Sequence, residues 1–338
     1  MPDPTQPTRR ELLRLAALGL GALATSRGLS DQQPLVKRPA HSTTQPGSTE
    51  PPWWMKTPGK LSRVVDIRSP HYTLDETSDP ATIKKLLARG LRALTDATNP
   101  KQAWSSILSN ARRILIKFNS VGAATLRTTP VVATALMEHL VETGYRASDI
   151  ALVEIPENLK RTLGGQSASK NWGAGIPVGQ NVEPLAEYVY QADAIINVPF
   201  LKTHLIAGMS GCMKNLSHAV IRHPALYHAN GCAPYVGQVI ANKEVSSRLR
   251  LNIVNALRIV IRNGPDAWEA DIGNHGGLLL GFDPVAVDTV GREVLQHHRR
   301  EQGLAADLEV NYLESAAQAD IGRHEAHELE QLVISHET

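Results

Sequence analysis

Residues 193–204 read DAIINVPFLKTH, an apolar run that ends in a lysine and a histidine. Its first half, DAIINV, has the near-continuous apolar character of a strand buried on both faces, as in a parallel sheet. RILIKF (113–118) has the same character, and it too gives way to polar residues, Asn119 and Ser120. Working outward, RVVDI (63–67), DIALVEI (149–155), LNIV (251–254), RIVIR (258–262) and GLLLG (277–281) read as further strands. Helix starts lie between them. Asp79-Pro80, Thr129-Pro130 and Asp283-Pro284 each pair a capping side chain with a first-turn proline, and Gly144 stops the second helix. This alternation predicts an α/β fold: a mostly parallel, Rossmann-like sheet flanked by helices, forming a single large domain over 61–332.

The chain of 338 residues, 42% hydrophobic, is long enough to bury a substantial core. A formal net charge of +2 makes no electrostatic case for nucleic acid or a membrane surface as partner. An aromatic content of 4% argues in addition against base-stacking platforms.

The N-terminus carries a different signal. Thr8-Arg9-Arg10-Glu11-Leu12-Leu13-Arg14 precedes the apolar segment LAALGLGALA, which closes on Ala22-Leu23-Ala24. An arginine pair, a modest apolar segment and a small-residue end predict a twin-arginine signal peptide over 1–30, with the Tat export machinery as partner. The apolar segment is shorter than the ~20 residues that span a bilayer, so no stable membrane span is expected after cleavage. The expected location is periplasmic or otherwise extracytoplasmic. Residues 31–60, rich in Pro, Ser, Thr and Gln, read as a flexible linker.

In open α/β sheets, ligands gather beyond the carboxyl ends of the strands. Lys117 and Asn119 follow one buried strand there, Lys202 and His204 another, and Lys214 and Asn215 a glycine-bearing loop. Convergence of Lys117, Lys202 and Lys214 predicts a site for a small anionic ligand, with backbone N–H groups at the Thr129 helix start adding to it. His204 and His228, with Lys202, are the candidate acid–base groups, because imidazole titrates near neutrality. His204, His228 and Cys212 are alternatively candidate ligands for a transition metal. Asp283 reads as a helix cap or an orienting carboxylate, and Asp288 as a carboxylate facing the site or a helix-dipole partner. The only cysteines are Cys212 and Cys232, which an oxidising compartment permits to pair. With no C-x-x-C, the chain cannot build an iron–sulfur cluster by itself. No Walker loop, G-x-S-x-G elbow or G-x-G-x-x-G turn is present.

Taken in order, IKFNS (116–120), TTPVV (128–132), DAIINVPFLKTH (193–204), GCMKNLSH (211–218), His228, LNIVNAL (251–257), NGP (263–265) and GFDPVAVD (281–288) resemble the domain of unknown function 362 family over roughly residues 60–330. The resemblance implies that Lys117, Asn119, Lys202, His204, Lys214, Asn215, His228, Asp283 and Asp288 occupy family motif positions. It implies no reaction. Two departures stand out: the ferredoxin-type cysteine motifs of many members are missing, and Asn255 stands where the family pattern commonly has Asp. The expected function is an enzyme acting on a small anionic ligand, with or without a metal. The alternatives are a non-catalytic periplasmic ligand- or metal-binding protein, or a redox partner that borrows a cluster from another subunit.

Overall fold

Ile114 and Ile116 point into one apolar layer and Leu115 into another, and Ala194, Ile195 and Ile196 alternate in the same way. Strands buried on both faces need cover on both faces. In the computed structural model, which describes residues 51–56, 59–69 and 79–336, helices supply it. The helices at 80–95, 100–108 and 129–142 bring Ile83, Leu87, Trp104 and Leu136 to one face. The helices at 235–241, 284–301 and 311–318 bring Val236, Val287, Leu295 and Leu313 to the other. The expected signal peptide (1–30) lies outside the described residues, as does most of the expected linker (31–60). No helix among the described residues is long and apolar enough to cross a membrane.

The strands are β1 (Ser62–Arg68), β2 (Ile114–Lys117), β3 (Ile150–Val153), β4 (Gln166–Ser167), β5 (Trp172–Val178), β6 (Asn181–Ala186), β7 (Ala194–Asn197), β8 (Phe200–His204), β9 (Gly208–Ser210), β10 (Leu249–Val260), β11 (Ile272–Gly281) and β12 (Leu329–Ser335). The main sheet runs β12-β1-β11-β10-β7-β2-β3-β4, with β8 and β9 attached beside β10, and β5-β6 form a separate hairpin. The sheet is mostly parallel: β10, β7, β2, β3 and β4 all run one way.

Local reading of the chain placed β1, β2, β3, β7, β10 and β11 and missed β4, β5, β6, β8, β9 and β12, and the structure corrects it at several further points. LNIV and RIVIR are one strand, β10, with a register shift between Ala256 and Arg258. GLLLG belongs to the longer β11, which is antiparallel to both β10 and β1. The connection from β10 to β11 is too short for the crossover that a parallel pair requires, so the chain must turn back. The helix over 129–142 begins at Thr129, so Thr128 is its N-cap residue, and the Thr128 hydroxyl makes no capping bond. The described end of the expected linker is docked. Trp53 Nε1 donates to Leu249 O at 2.8 Å and Trp54 Nε1 to Ile321 O at 2.8 Å, which extends the ordered domain to residue 51. At the other end β12 runs to Ser335, three residues past the expected boundary at 332.

Candidate functional site

Register builds the floor of the site. Lys117 of β2 pairs with Asn197 of β7, and Asn197 pairs with Asn252 of β10. The three polar residues thus stand side by side across adjacent parallel strands, Lys117 and Asn197 as the last residues of β2 and β7 and Asn252 within β10, which runs on to Val260. All three are fully buried. Buried amides must find partners, and these do so through Asn215, which the short helix Cys212–Asn215 lays over the row. Asn197 Nδ2 donates to Asn252 Oδ1 at 2.9 Å and to Cys212 O at 2.9 Å, and Asn215 Nδ2 donates to Asn197 Oδ1 at 2.8 Å. Asn252 Nδ2 ends the chain on Phe282 O at 3.1 Å. In the other direction Asn215 Oδ1 accepts from Lys117 Nζ at 3.1 Å and Asn119 Nδ2 at 2.9 Å, and Asn119 Oδ1 accepts from Lys202 Nζ at 3.3 Å.

Asp288 holds the helix that brings Asn215 and Lys214 in. Its carboxylate accepts from Cys212 N at 2.5 Å and Met213 N at 3.0 Å, and burial pushes its pKa up to about 7. Gly211 leaves room for this contact, because a Cβ there would collide with the Asp288 carboxylate. Asp288 is therefore a positioning residue. Asp283 caps the helix Pro284–Glu301 through Val285 N and Ala286 N, and it also accepts from Ser62 Oγ and Arg323 N. Its oxygens are fully occupied by these bonds. Thr129 is buried in the first turn of its helix. The hydroxyl that reaches the sheet is that of Thr128, paired with Asn255.

The three lysines meet, but on different terms. Lys117 Nζ donates to Phe118 O at 2.7 Å and to Asn215 Oδ1, and it pairs with Glu154 at 3.0 Å, so all three of its protons are engaged. Burial lowers its pKa, and the Glu154 carboxylate works against that shift. Glu154 ends β3 with φ +59, a left-handed conformation that is uncommon for a non-glycine residue. Lys202 is 1% exposed and bonds only to neutral oxygens, Val121 O at 2.6 Å and Asn119 Oδ1. Burial brings its pKa down to about 7, and the charges of Lys117 and Lys214 add to that shift. Lys214 Nζ lies 3.3 Å from His228 Nε2 and next to Cys232; burial lowers its pKa, and Cys232 works against that shift. Lys202 and Lys214 each keep one N–H uncommitted to these partners.

The histidines form a contiguous group. His204 and His228 stack with ring centroids 6.0 Å apart, and His218 meets His228 edge-on at 4.7 Å. His204 Nδ1 accepts from Ile206 N and Ala207 N, both at 3.2 Å, which leaves Nε2 as the protonated nitrogen of the neutral ring. Burial and the neighbouring Lys214, His228 and Lys202 push its pKa down to about 3. One ligand atom each from His218, His228 and Cys232 lies within 4.8 Å of the other two. The metal-capable group among the described residues is thus His218–His228–Cys232, rather than the expected His204–His228–Cys212. Cys212 sits under the helix it begins, against Asp288. Both cysteines are free and buried.

Sequence reading missed Glu154, Asn197 and Asn252 as site members. The signal was available for two of them: Asn197 and Asn252 interrupt or end apolar strands on the period-2 face that carries Lys117, whereas Glu154 follows β3 on the other parity and reaches Lys117 through its left-handed backbone. A surface depression of about 620 Å³ lined by Lys85, Arg89, Arg92 and Ile334 shares no residue with this cluster.

Residues 167–293 match the family model described as Domain of unknown function (DUF362). The matched segment holds Lys202, His204, Lys214, Asn215, His228, Cys232 and both aspartates; Lys117, Asn119 and Glu154 precede it. No curated protein matches the chain. Among solved structures, the chain is similar to the lactate racemase apoprotein from Thermoanaerobacterium thermosaccharolyticum, with 12% identity, a TM-score of 0.34 and coverage of 58% of this chain and 51% of that one. It is also similar to a structural-genomics protein from Thermotoga maritima, with 11% identity, a TM-score of 0.41 and coverage of 66% and 59%. The chain thus spans between half and three-fifths of the length of those two structures, and the likeness is one of fold.

Proposed function

We propose that the chain binds a small carboxylate- or phosphate-bearing molecule at the Lys202–Lys214 face of the cluster and moves a proton on it. One observation carries this reading. Two buried ammonium groups converge with no carboxylate in ion-pair contact with either among the described residues, Asp266 and Glu154 acting on Lys202 only from beyond contact distance, and each has an N–H to give. An anion would supply the missing counter-charge through charge-assisted hydrogen bonds. Lys117, neutralised by Glu154, positions the network rather than the ligand. Lys202 is the proton-transfer group, because a lysine with a pKa of about 7 exchanges its proton near neutrality. His204 presents Nε2–H as a donor beside it.

Titration calorimetry with inorganic phosphate and a panel of small carboxylates tests this. Wild type binds at least one of them, and Lys202→Met weakens that binding by about tenfold or more, in keeping with the loss of a buried charge-assisted contact. Absence of binding by wild type, or equal binding by the variant, overturns the reading. The same contacts also suit a non-catalytic binding protein. His204→Gln separates the two: an enzyme keeps affinity and loses turnover, whereas a binding protein changes in neither.

Export by the twin-arginine route to an extracytoplasmic location is part of the proposal, and it rests on the Arg9-Arg10 segment and the apolar run after it. Full-length protein should appear outside the cytoplasm, and Arg9→Lys with Arg10→Lys should retain it inside. Equal export of the double variant would refute that route.

A further inference from the structure

The histidine side of the cluster has more donors than an anion site needs. His218 is buried and Cys232 fully so, and neither side chain hydrogen-bonds to the asparagine row. Their ring and sulfur atoms, with those of His228, face one another across less than 4.8 Å. Two ligands on a tetrahedral ion with bonds of 2.0–2.3 Å lie ~3.3–3.8 Å apart, so these donors need to close in by at most about 1.5 Å.

Hydrogen bonding fixes which nitrogens carry lone pairs. The Lys214 ammonium lies 3.3 Å from His228 Nε2 and can only donate, so Nε2 carries the lone pair of the neutral ring and Nδ1 its proton. His218 Nε2 lies 3.1 Å from Tyr227 O, an acceptor only, so that nitrogen holds the proton, and the Nδ1 lone pair is met by the Ser217 hydroxyl at 3.2 Å, which an ion would displace. Carbonyl groups behind ligating histidines are the usual means of fixing ring orientation at a metal. The backbone adds to this. Asn230, Gly231 and Cys232 follow one another at φ +50, +63 and +72, and this run of left-handed residues turns the Cys232 side chain into the group.

A cation already stands in this cradle. The ammonium of Lys214 lies 3.3 Å from His228 Nε2, and its charge acts on the neighbouring Cys232 sulfur. We propose that His218, His228 and Cys232 form a site for a borderline-soft divalent cation of the zinc type, and that Lys214 is the displaceable ammonium that competes for it. Two imidazoles and a thiolate are a donor set suited to such an ion, and three protein ligands leave a fourth coordination position open. Binding exchanges the Cys232 thiol proton for the metal, releases that proton to solvent and swings the Lys214 side chain away; no electron is transferred.

Cobalt(II), added to the chelator-treated full-length chain, is the probe. Close to one equivalent should bind with a thiolate-to-cobalt charge-transfer band in the near ultraviolet. Cys232→Ser should abolish the band and weaken binding by about tenfold or more, whereas Cys212→Ser should leave both in place. Lys214→Met should bind cobalt more tightly, since its competitor is gone. The proposal is overturned if wild type shows no such band, if the band survives Cys232→Ser, or if Cys212→Ser is the variant that loses it. Should Cys232→Ser fail to fold, the wild-type spectrum and His218→Asn decide the matter. Phosphate calorimetry on the metal-free chain is independent of the band, so failure of the anion site and failure of the metal site are distinguishable.

Discussion

Lys117, Asn197 and Asn252 stand side by side in register across three adjacent parallel strands, whereas His218, His228 and Cys232 are carried by short helices and turns between β9 and the helix Tyr235–Ala241. On the lysine side, register puts each polar group opposite the next, and an unbroken line of amide hydrogen bonds joins them. On the histidine side, the groups meet because an irregular segment folds back through left-handed residues. The asparagine row and Lys117 are therefore satisfied within the protein and set positions. The histidine half is held by single, exchangeable partners, Ser217 on His218 and Lys214 on His228.

The comparison breaks most visibly at Asn215, the joint between the halves. Asn215→Leu removes the acceptor for Lys117 and Asn119 and the donor to Asn197. Breaking a buried network that includes a charge costs about 3–5 kcal/mol, and a urea titration should show the midpoint falling accordingly. Gly211→Ala comes next. Its Cβ would push the Asp288 carboxylate off Cys212 N and Met213 N, which should destabilise the fold by about 1–3 kcal/mol and displace Lys214 with its helix.

Proton linkage sharpens the comparison further. Lys202 has a pKa of about 7 in the folded chain and ~10.4 when unfolded, so the unfolded chain binds more protons between those values. Stability from this group therefore rises as pH goes from about 7 toward 10.4, and is lost as pH falls through 7. Asp288 has the opposite sign. Its carboxyl is raised to about 7 from ~3.9 in the unfolded chain, so its contribution is present below about pH 4 and is lost as pH rises to 7. Urea midpoints measured across pH should lose the alkaline rise in Lys202→Met and the acidic fall in Asp288→Asn. Unchanged slopes would show that neither group is held as the structure has it.

The smallest effect is expected at Glu154. Its side chain is 25% exposed, so Glu154→Gln should cost about 1 kcal/mol or less once solvent screening is counted. Because it removes the carboxylate paired with Lys117, phosphate should bind the metal-free variant more tightly than wild type. Calorimetry on the two proteins checks this.

RILIKF, DAIINV and DIALVEI were legible as strands because burial on both faces demands continuous apolar residues, and that demand is local. The direction of β11 was not legible, and neither was the β8–β9 hairpin, because pairing partners lie far away in sequence. Lysines beyond strand ends announce a site, since a charge there interrupts an apolar run. Buried asparagines at the same positions read as ordinary strand boundaries, and so Asn197 and Asn252 escaped notice.

Residue type and period thus determine, without any structure, the doubly buried strands of the sheet, three of the helices that open on a first-turn proline and the end of the sheet at which polar residues gather. Tertiary structure alone decides that Glu154 falls on Lys117 and not on Lys202, because β3 lies next to β2. It decides in the same way that Cys232, not Cys212, joins the histidines. The physical reason is common to both: a strand's face is set by its neighbours in sequence, whereas a buried charge's counter-charge and a cation's donors are set by neighbours in space.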